Sequence, residues 1–314
     1  MSARKKSAGK QRLRWDQLPA DARSGIERLA GGSVVAAVSC TGGFSPGMAS
    51  RLELSGGRRV FVKAMDAVDW PEQITHYRVE ARVSAALPPD VPAPRLLEWS
   101  DDGRWVILVF ECVDGIEPTL RDSPSAALRI APALDDLATT WTPSPVPLAA
   151  DHPRLGGWAD LAMDPDALAR LASADKWATD HLGTLIDLED AGLAAAQGDT
   201  LVHFDAYPHN MLLAGGRVIF VDWPHARRGA PFVDLIAFAS SAAGAGIDPD
   251  SLLLGRAATA GRDPGIVDAV LAAHAGFCAA GSLWPPDPDL TPIIAAKAEL
   301  AAAAIAWLRR RLAR

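Results

Sequence analysis

"LVHFDAYPHNMLL", residues 201–213, places His203, Asp205, His209 and Asn210 in one short turn-like stretch between two apolar runs. Polar side chains held this close to a core are costly unless they are used, so the stretch marks a site. Two chemistries compete for it. The histidines suit a borderline metal ion. The aspartate and asparagine suit a hard, oxygen-seeking cation.

The residues downstream favour the second. Asp222 closes the apolar strand "VIFV", and a hairpin turn at Gly215 and Gly216 brings it back beside Asn210. One amide and two carboxylates then cluster. Two of these groups supply oxygens to magnesium, and one carboxylate stays available to orient a hydroxyl and take its proton. H-x-D-x-x-x-x-N followed by a strand and a further Asp is the spacing of a kinase catalytic loop and its metal-binding aspartate.

That spacing requires other parts, and the chain has them in order. Lys63 lies on the expected third strand in "VFVKAM". Glu80 follows on the next helix as its partner, with Glu72 as second choice. The turn "TGGFSPG", with Gly42, Gly43, Ser45 and Gly47, joins the first two strands, and glycine there lets backbone N–H groups approach phosphate oxygens. Each feature alone has a bland reading, an edge lysine or an ordinary turn. Their joint order carries the argument.

Around these residues the chain reads as a short helix in "WDQLPADARSGIERLAGG", then strands "SVVAAVSC", "MASRLEL" and "RRVFVKAM". A helix beginning at Trp70 and Pro71 follows. A proline-rich connection leads to the edge-type strand in "PRLLEWS", and "DDG" turns into the buried strand "RWVILVFEC". From about residue 117 the sequence is alanine-rich and helical, interrupted by the irregular "WTPSPVPLAADHPRLGGW". One long helix is expected over residues 165 to 196, then small strands around the opening motif, then helices to the end. The fold class is α+β: a small antiparallel-sheet N-lobe and a mainly helical C-lobe. The expected divisions are a basic tail and leading helix (1–32), a nucleotide-binding N-lobe (33–112) and a helical C-lobe with the catalytic loop and acceptor site (113–314).

From about residue 34 to 240 the chain resembles the aminoglycoside phosphotransferase family of small-molecule kinases, which have a protein-kinase-like fold. "HFDAYPHN", "VIFVDW" and "GAPFVDLIAF" carry the likeness most specifically. The resemblance implies Asp205 as catalytic base and Asn210 and Asp222 as holders of Mg2+. It implies Lys63 on the nucleotide phosphates, Glu80 orienting Lys63, the glycine turn with Gly43 and Ser45 over the nucleotide, and backbone groups of Glu111 and Val113 on the purine. His203 and Asp234 are implied as structural support. ATP, or GTP, is the implied phosphate donor. The chain departs from the family at Phe204, where glycine is usual, and has "WP" after Asp222 where protein kinases have "FG".

The 314 residues are 49% hydrophobic with a formal charge of -7, which argues against a nucleic-acid partner. Cys40, Cys112 and Cys278 are dispersed without a CxxC pair, as in a reducing cytoplasm. No apolar run is expected to span a membrane, and a cytoplasmic location is expected. The gap between Asp222 and Asp234 is too short for a peptide-docking activation segment, so the expected partner is a small-molecule hydroxyl acceptor. An aminoglycoside or other antibiotic leads on net charge, with choline, homoserine or a sugar as the alternative. Asp151, Asp160 and Glu189 are candidate acceptor-site acids, and Trp158 and Trp177 a candidate apolar wall. The competing reading is a divalent-metal hydrolase using His203, Asp205, His209, Asp222 and His225, which leaves Lys63, Glu80 and Asn210 unused.

Overall fold

The computed structural model describes residues 12–40, 42, 45–147, 154–285, 287 and 290–314. The chain separates into two compact units, one running to Ile116 and including Leu212–His225, the other comprising Glu117–Met211 and Ala226–Arg314.

The first unit opens with a 3-10 turn and helix α1 (Ala20–Ala30), which ends at Gly31 in the left-handed region with φ 71°. Strands β1 (Val34–Ser39), β2 (Met48–Leu54) and β3 (Arg59–Asp66) follow, then α2 (Ile74–Ala86), β4 (Leu96–Asp101) and β5 (Trp105–Glu111). All pair antiparallel in the order β1-β2-β3-β5-β4, so β4 is the edge strand the sequence suggests. Helix α2 starts four residues later than expected, because Trp70–Gln73 form a turn in which Ile74 N–H already bonds to Trp70 O.

Period-two alternation sorts the side chains. Val60, Val62, Ala64, Trp105, Ile107 and Val109 face one cluster with Ala22 and Ile26 of α1. Met65, Val106, Leu108 and Phe110 face the other with Ile74, Tyr77 and Ala81 of α2. Strand β5 is therefore buried on both faces, which explains its unbroken apolar run. The same alternation puts Lys63, between Val62 and Ala64, on the α2 side of the sheet.

The β1–β2 turn is tied down. Ser45 Oγ lies 3.0 Å from Tyr77 Oη, Leu13 N–H donates to Pro46 O at 3.1 Å, and Arg12 donates to Gly42 O at 2.5 Å. Gly47 sits so close that a Cβ there would lie 2.5 Å from Tyr77 Oη and 2.8 Å from Ala64 O. Gly47→Ala is expected to lower stability by about 1–3 kcal/mol, the usual range for overpacking, read as an earlier urea midpoint at unchanged m-value.

The second unit begins with α3 (Ser125–Thr140), α4 (Trp158–Met163), α5 (Pro165–Ala174), α6 (Lys176–Asp180), α7 (Leu182–Ala195) and strand β6 (Thr200–Val202). The single helix expected over 165–196 is thus three. Asp175 breaks it: its backbone is extended, φ -148°, and its side chain accepts from Ala178 N–H as an N-cap that starts α6 afresh. A second break falls at His181. After the opening motif comes the hairpin β7 (Met211–Ala214) and β8 (Arg217–Phe220), turning through Gly215 and Gly216 at φ 53° and 83°, as expected.

The second unit then resumes with β9 (Arg227–Gly229), which pairs with β6, and with α8 (Val233–Gly244), α9 (Pro249–Leu253), α10 (Pro264–Ser282) and α11 (Thr291–Leu312). Gly192 of α7 meets α10 so closely that a Cβ there would collide with Ala269 O. Contrary to the sequence expectation, α10 and α11 are long and apolar enough to cross a bilayer by length and composition. The apolar window of α10 is 67% buried inside the unit, which marks it as the core helix against which α7 and α11 pack.

Candidate active site

In the first unit the sheet alternation aims Lys63 at α2. Its Nζ donates to both Glu80 oxygens at 2.6 and 2.8 Å and to Asp222 Oδ1 at 2.8 Å. Lys63 and Glu80 side chains are 13% and 4% exposed, Asp222 44%. Burial opposes the Lys63 charge, but Asp222 and Glu80 together more than offset it and hold the ammonium above its usual range. Burial pushes the Glu80 carboxyl up, to about 7, with Asp222 acting in the same direction and Lys63 against it. Glu72 takes no part in this ion cluster. Asp222 itself has φ 67°, an uncommon backbone for a non-glycine residue. Such strain persists where the surroundings fix a side chain's aim.

The remaining first-unit candidates are the sheet's end and turn. Glu111 ends β5, with its N–H on Arg95 O at 3.0 Å and its side chain on Arg95 at 2.8 Å; Val113 is half-buried beyond it. The Ser45 hydroxyl is engaged by Tyr77. Gly43 lies outside the described residues.

In the second unit, Asp205 leaves β6 beyond His203 and Phe204. Asp234, at the start of α8, accepts from His203 N–H at 2.7 Å and Phe204 N–H at 2.9 Å. Burial pushes the Asp234 carboxyl up to about 7 while those two bonds pull the other way. His203 is fully buried. Phe204 adopts φ 58°, so the backbone keeps a glycine-like conformation although the residue is bulky. Its side chain is buried, which offsets the strain. Asn210 Nδ2 donates to Asp205 O at 3.0 Å and Oδ2 at 2.8 Å. That leaves the amide oxygen as the atom Asn210 can offer a cation.

Asp205 Oδ1 has a partner the sequence did not flag. Arg154, at the end of the irregular stretch, approaches it at 3.1 Å. Lys297 was also missed; a lone lysine in the apolar run "PIIAAKAELAAAA" was the available signal. Of the suggested acceptor-site acids, Asp151 lies outside the described residues and Asp160 is exposed. Glu189 is buried and accepts from Trp158 N–H at 2.8 Å and Ala159 N–H at 3.3 Å, capping α4 from α7. Trp158 is core, and Trp177 stacks on His181.

The hydrolase reading finds no support. Among the described residues no group of three His, Cys, Asp or Glu is placed to hold a metal ion. His209 stacks on Tyr207, and His225 meets the edge of His76.

A five-stranded antiparallel sheet carrying a lysine paired to a helix glutamate, with a helical part carrying a braced aspartate loop, defines a kinase-like phosphotransferase. The family model for APH, the phosphotransferase enzyme family, matches residues 41–270, and the chain belongs to that family and is a small-molecule kinase. Solved structures share the fold. A choline/ethanolamine kinase family protein from Mesorhizobium loti is 16% identical with a TM-score of 0.57, over 92% of this chain and 98% of that one. A macrolide 2′-phosphotransferase type I is 20% identical with a TM-score of 0.53, over 93% and 98%. An aminoglycoside 2′-phosphotransferase-IIIa mutant in its GDP complex is 10% identical with a TM-score of 0.53, over 94% and 98%. At these identities the likeness is one of fold. No curated protein sequence matches the chain.

Proposed function

We propose that this kinase transfers the γ-phosphoryl group of ATP, or GTP, to a hydroxyl of a small molecule in the cytoplasm, with magnesium. The observation that carries the reading is the Lys63 ammonium held between Glu80 and Asp222 at 2.6–2.8 Å. A lysine fixed in this way presents a point charge to phosphate oxygens. The Glu111 carbonyl, whose own N–H is already bonded to Arg95, and the Val113 backbone would take the purine. The turn containing Gly43 and Ser45 would lie over the phosphates.

Asn210 and Asp222 would hold Mg2+, which when bound neutralises charge on the phosphates. Asp205 orients the acceptor hydroxyl and takes its proton. The acceptor oxygen–phosphorus bond forms as the bond from the γ-phosphorus to the β-bridging oxygen breaks, and the nucleoside diphosphate leaves. His203 and Asp234 hold the loop that aims Asp205. The acceptor classes expected from sequence are an aminoglycoside or other antibiotic, or a primary metabolite such as choline, homoserine or a sugar. The short span from Asp222 to Asp234, with β9 inside it, favours a small acceptor over a peptide.

Asp222→Ala should abolish the magnesium dependence of nucleotide binding, because the carboxylate that would hold the ion is removed. Calorimetry of ATP binding with and without magnesium reads this directly. Full magnesium dependence in the variant would remove Asp222 from the role, and failure of the wild-type protein to bind any nucleotide would overturn the proposal itself.

A further inference from the structure

Two cationic side chains of the second unit, Arg154 and Lys297, share one aromatic ring near Asp205. Arg154 is paired to Asp205 Oδ1 at 3.1 Å, and its guanidinium carbon lies 5.0 Å from the Phe277 ring centroid. Lys297 Nζ lies 3.4 Å from the same centroid. Lys297 is 8% exposed, and among the described residues its Nζ has no hydrogen-bond acceptor. Gly281 on α10 accommodates the lysine stem: a Cβ there would meet Lys297 Cγ and Cδ at 3.3 Å.

An aromatic face attracts an ammonium but accepts none of its three N–H bonds as an oxygen would. A buried charge without such partners is costly. Burial pulls Lys297 down to about 8; Arg154 adds to that, while Cys278 and Asp205 oppose it. Of these neighbours the one carboxylate is Asp205, and Arg154 is already on it. His274 brings no compensating charge, since burial pushes it down to about 3 and leaves it neutral. Two cations thus flank one aromatic ring, with Asp205 the carboxylate that acts on Lys297. That is a poor setting for a cationic acceptor, whatever the net charge of the whole chain.

We propose that the acceptor carries a carboxylate besides its reacting hydroxyl, and that Lys297 and Arg154 bind that carboxylate at the edges of Phe277. The proposal rests on Asp205 being the base of the transfer. Movement of Arg154 onto the acceptor's carboxylate would release Asp205 Oδ1 to receive the hydroxyl proton. Lys297 would gain the oxygen acceptors it lacks.

Two measurements on the full chain test this separately. The first is thermal stabilisation by hydroxy carboxylates (glycerate, gluconate, malate), by their neutral amides, and by amino alcohols and kanamycin, in wild type and Lys297→Met. The carboxylates should stabilise the wild type and the others should not; the variant should lose the effect. Because methionine fills the lysine's space without its charge, the ligand-free variant should melt no lower than wild type, which keeps the comparison valid. The second is phosphate transfer from Mg-ATP to the same compounds. Carboxylates should lead their amides by about 10–100-fold in kcat/KM, the range for hydrogen bonds to charged groups, and Lys297→Met should remove that lead through KM. Stabilisation by no carboxylate, equal stabilisation by amides, or preferred transfer to amino alcohols overturns the inference while leaving phosphotransfer standing. Carboxylate-specific stabilisation without transfer to any compound would keep a carboxylate site at Lys297 and Arg154 but overturn its assignment to the acceptor, and would count against the catalytic reading.

Discussion

Replacement of Asp205 by asparagine is expected to lower kcat by about 10²–10⁴-fold, the scale on which a positioned general base contributes, with nucleotide affinity nearly unchanged. The amide keeps the side chain's size but cannot take the acceptor's proton. It also offers one oxygen where the carboxylate offers two, and both are in use: Oδ2 accepts from Asn210 Nδ2 at 2.8 Å, and Oδ1 faces Arg154 at 3.1 Å. The folded loop should survive, because its main braces are the two backbone bonds to Asp234, which the substitution does not touch. Single-turnover measurement of phosphate transfer, with ATP binding followed by calorimetry, separates chemistry from binding. Turnover within a few-fold of wild type would exclude Asp205 as the base.

What the sequence could say about this site followed from local constraints. Lys63 was legible because strand alternation decides its face: with Val62 and Ala64 in the α1 cluster, Lys63 has to point at α2. Glu80 was legible because it is a charged residue on the buried side of that helix. The turn before Asp222 was legible because two adjacent glycines take positive φ there. Arg154 and Lys297 were not legible. Each reaches the neighbourhood of Asp205 only through the packing of α10 against α11 and through the course of an irregular segment, and neither has a spacing rule in the sequence. The break at Asp175 was missed for a different reason. The apolar spacing continues through it, and only the capping competence of an aspartate distinguishes a restart from a continuation. The expectation of an aminoglycoside came from net charge, a long-range quantity. The ion pair at Asp205 and the buried ammonium of Lys297 are short-range features, which net charge does not report.

The Lys63–Glu80–Asp222 cluster makes the other large prediction. Lys63→Met should weaken ATP binding and cost about 3–5 kcal/mol of stability near pH 8, the range for leaving one member of a buried ion pair unpartnered. The two carboxylates it leaves are not equivalent. Asp222 is 44% exposed and can be solvated; Glu80 is 4% exposed and cannot. Glu80 keeps a bond from the Trp223 backbone N–H, but it loses the neighbouring cation that pulls its carboxyl down against burial and Asp222. Its value, already about 7, must rise further. A carboxyl whose folded value exceeds its unfolded one binds the proton more tightly in the folded state. Its contribution is therefore greatest at acid pH and is lost as pH rises toward the folded value. Wild type undergoes that loss up to about pH 7; the variant continues to lose stability above it. The deficit of the variant should be constant below about pH 7 and then widen by up to about 1.4 kcal/mol per pH unit. Urea unfolding of both proteins at intervals from pH 6 to 9 reads this difference. A deficit that stays flat across that range would mean that Glu80 remains ionised without Lys63, and Lys63 would then not be its counterion.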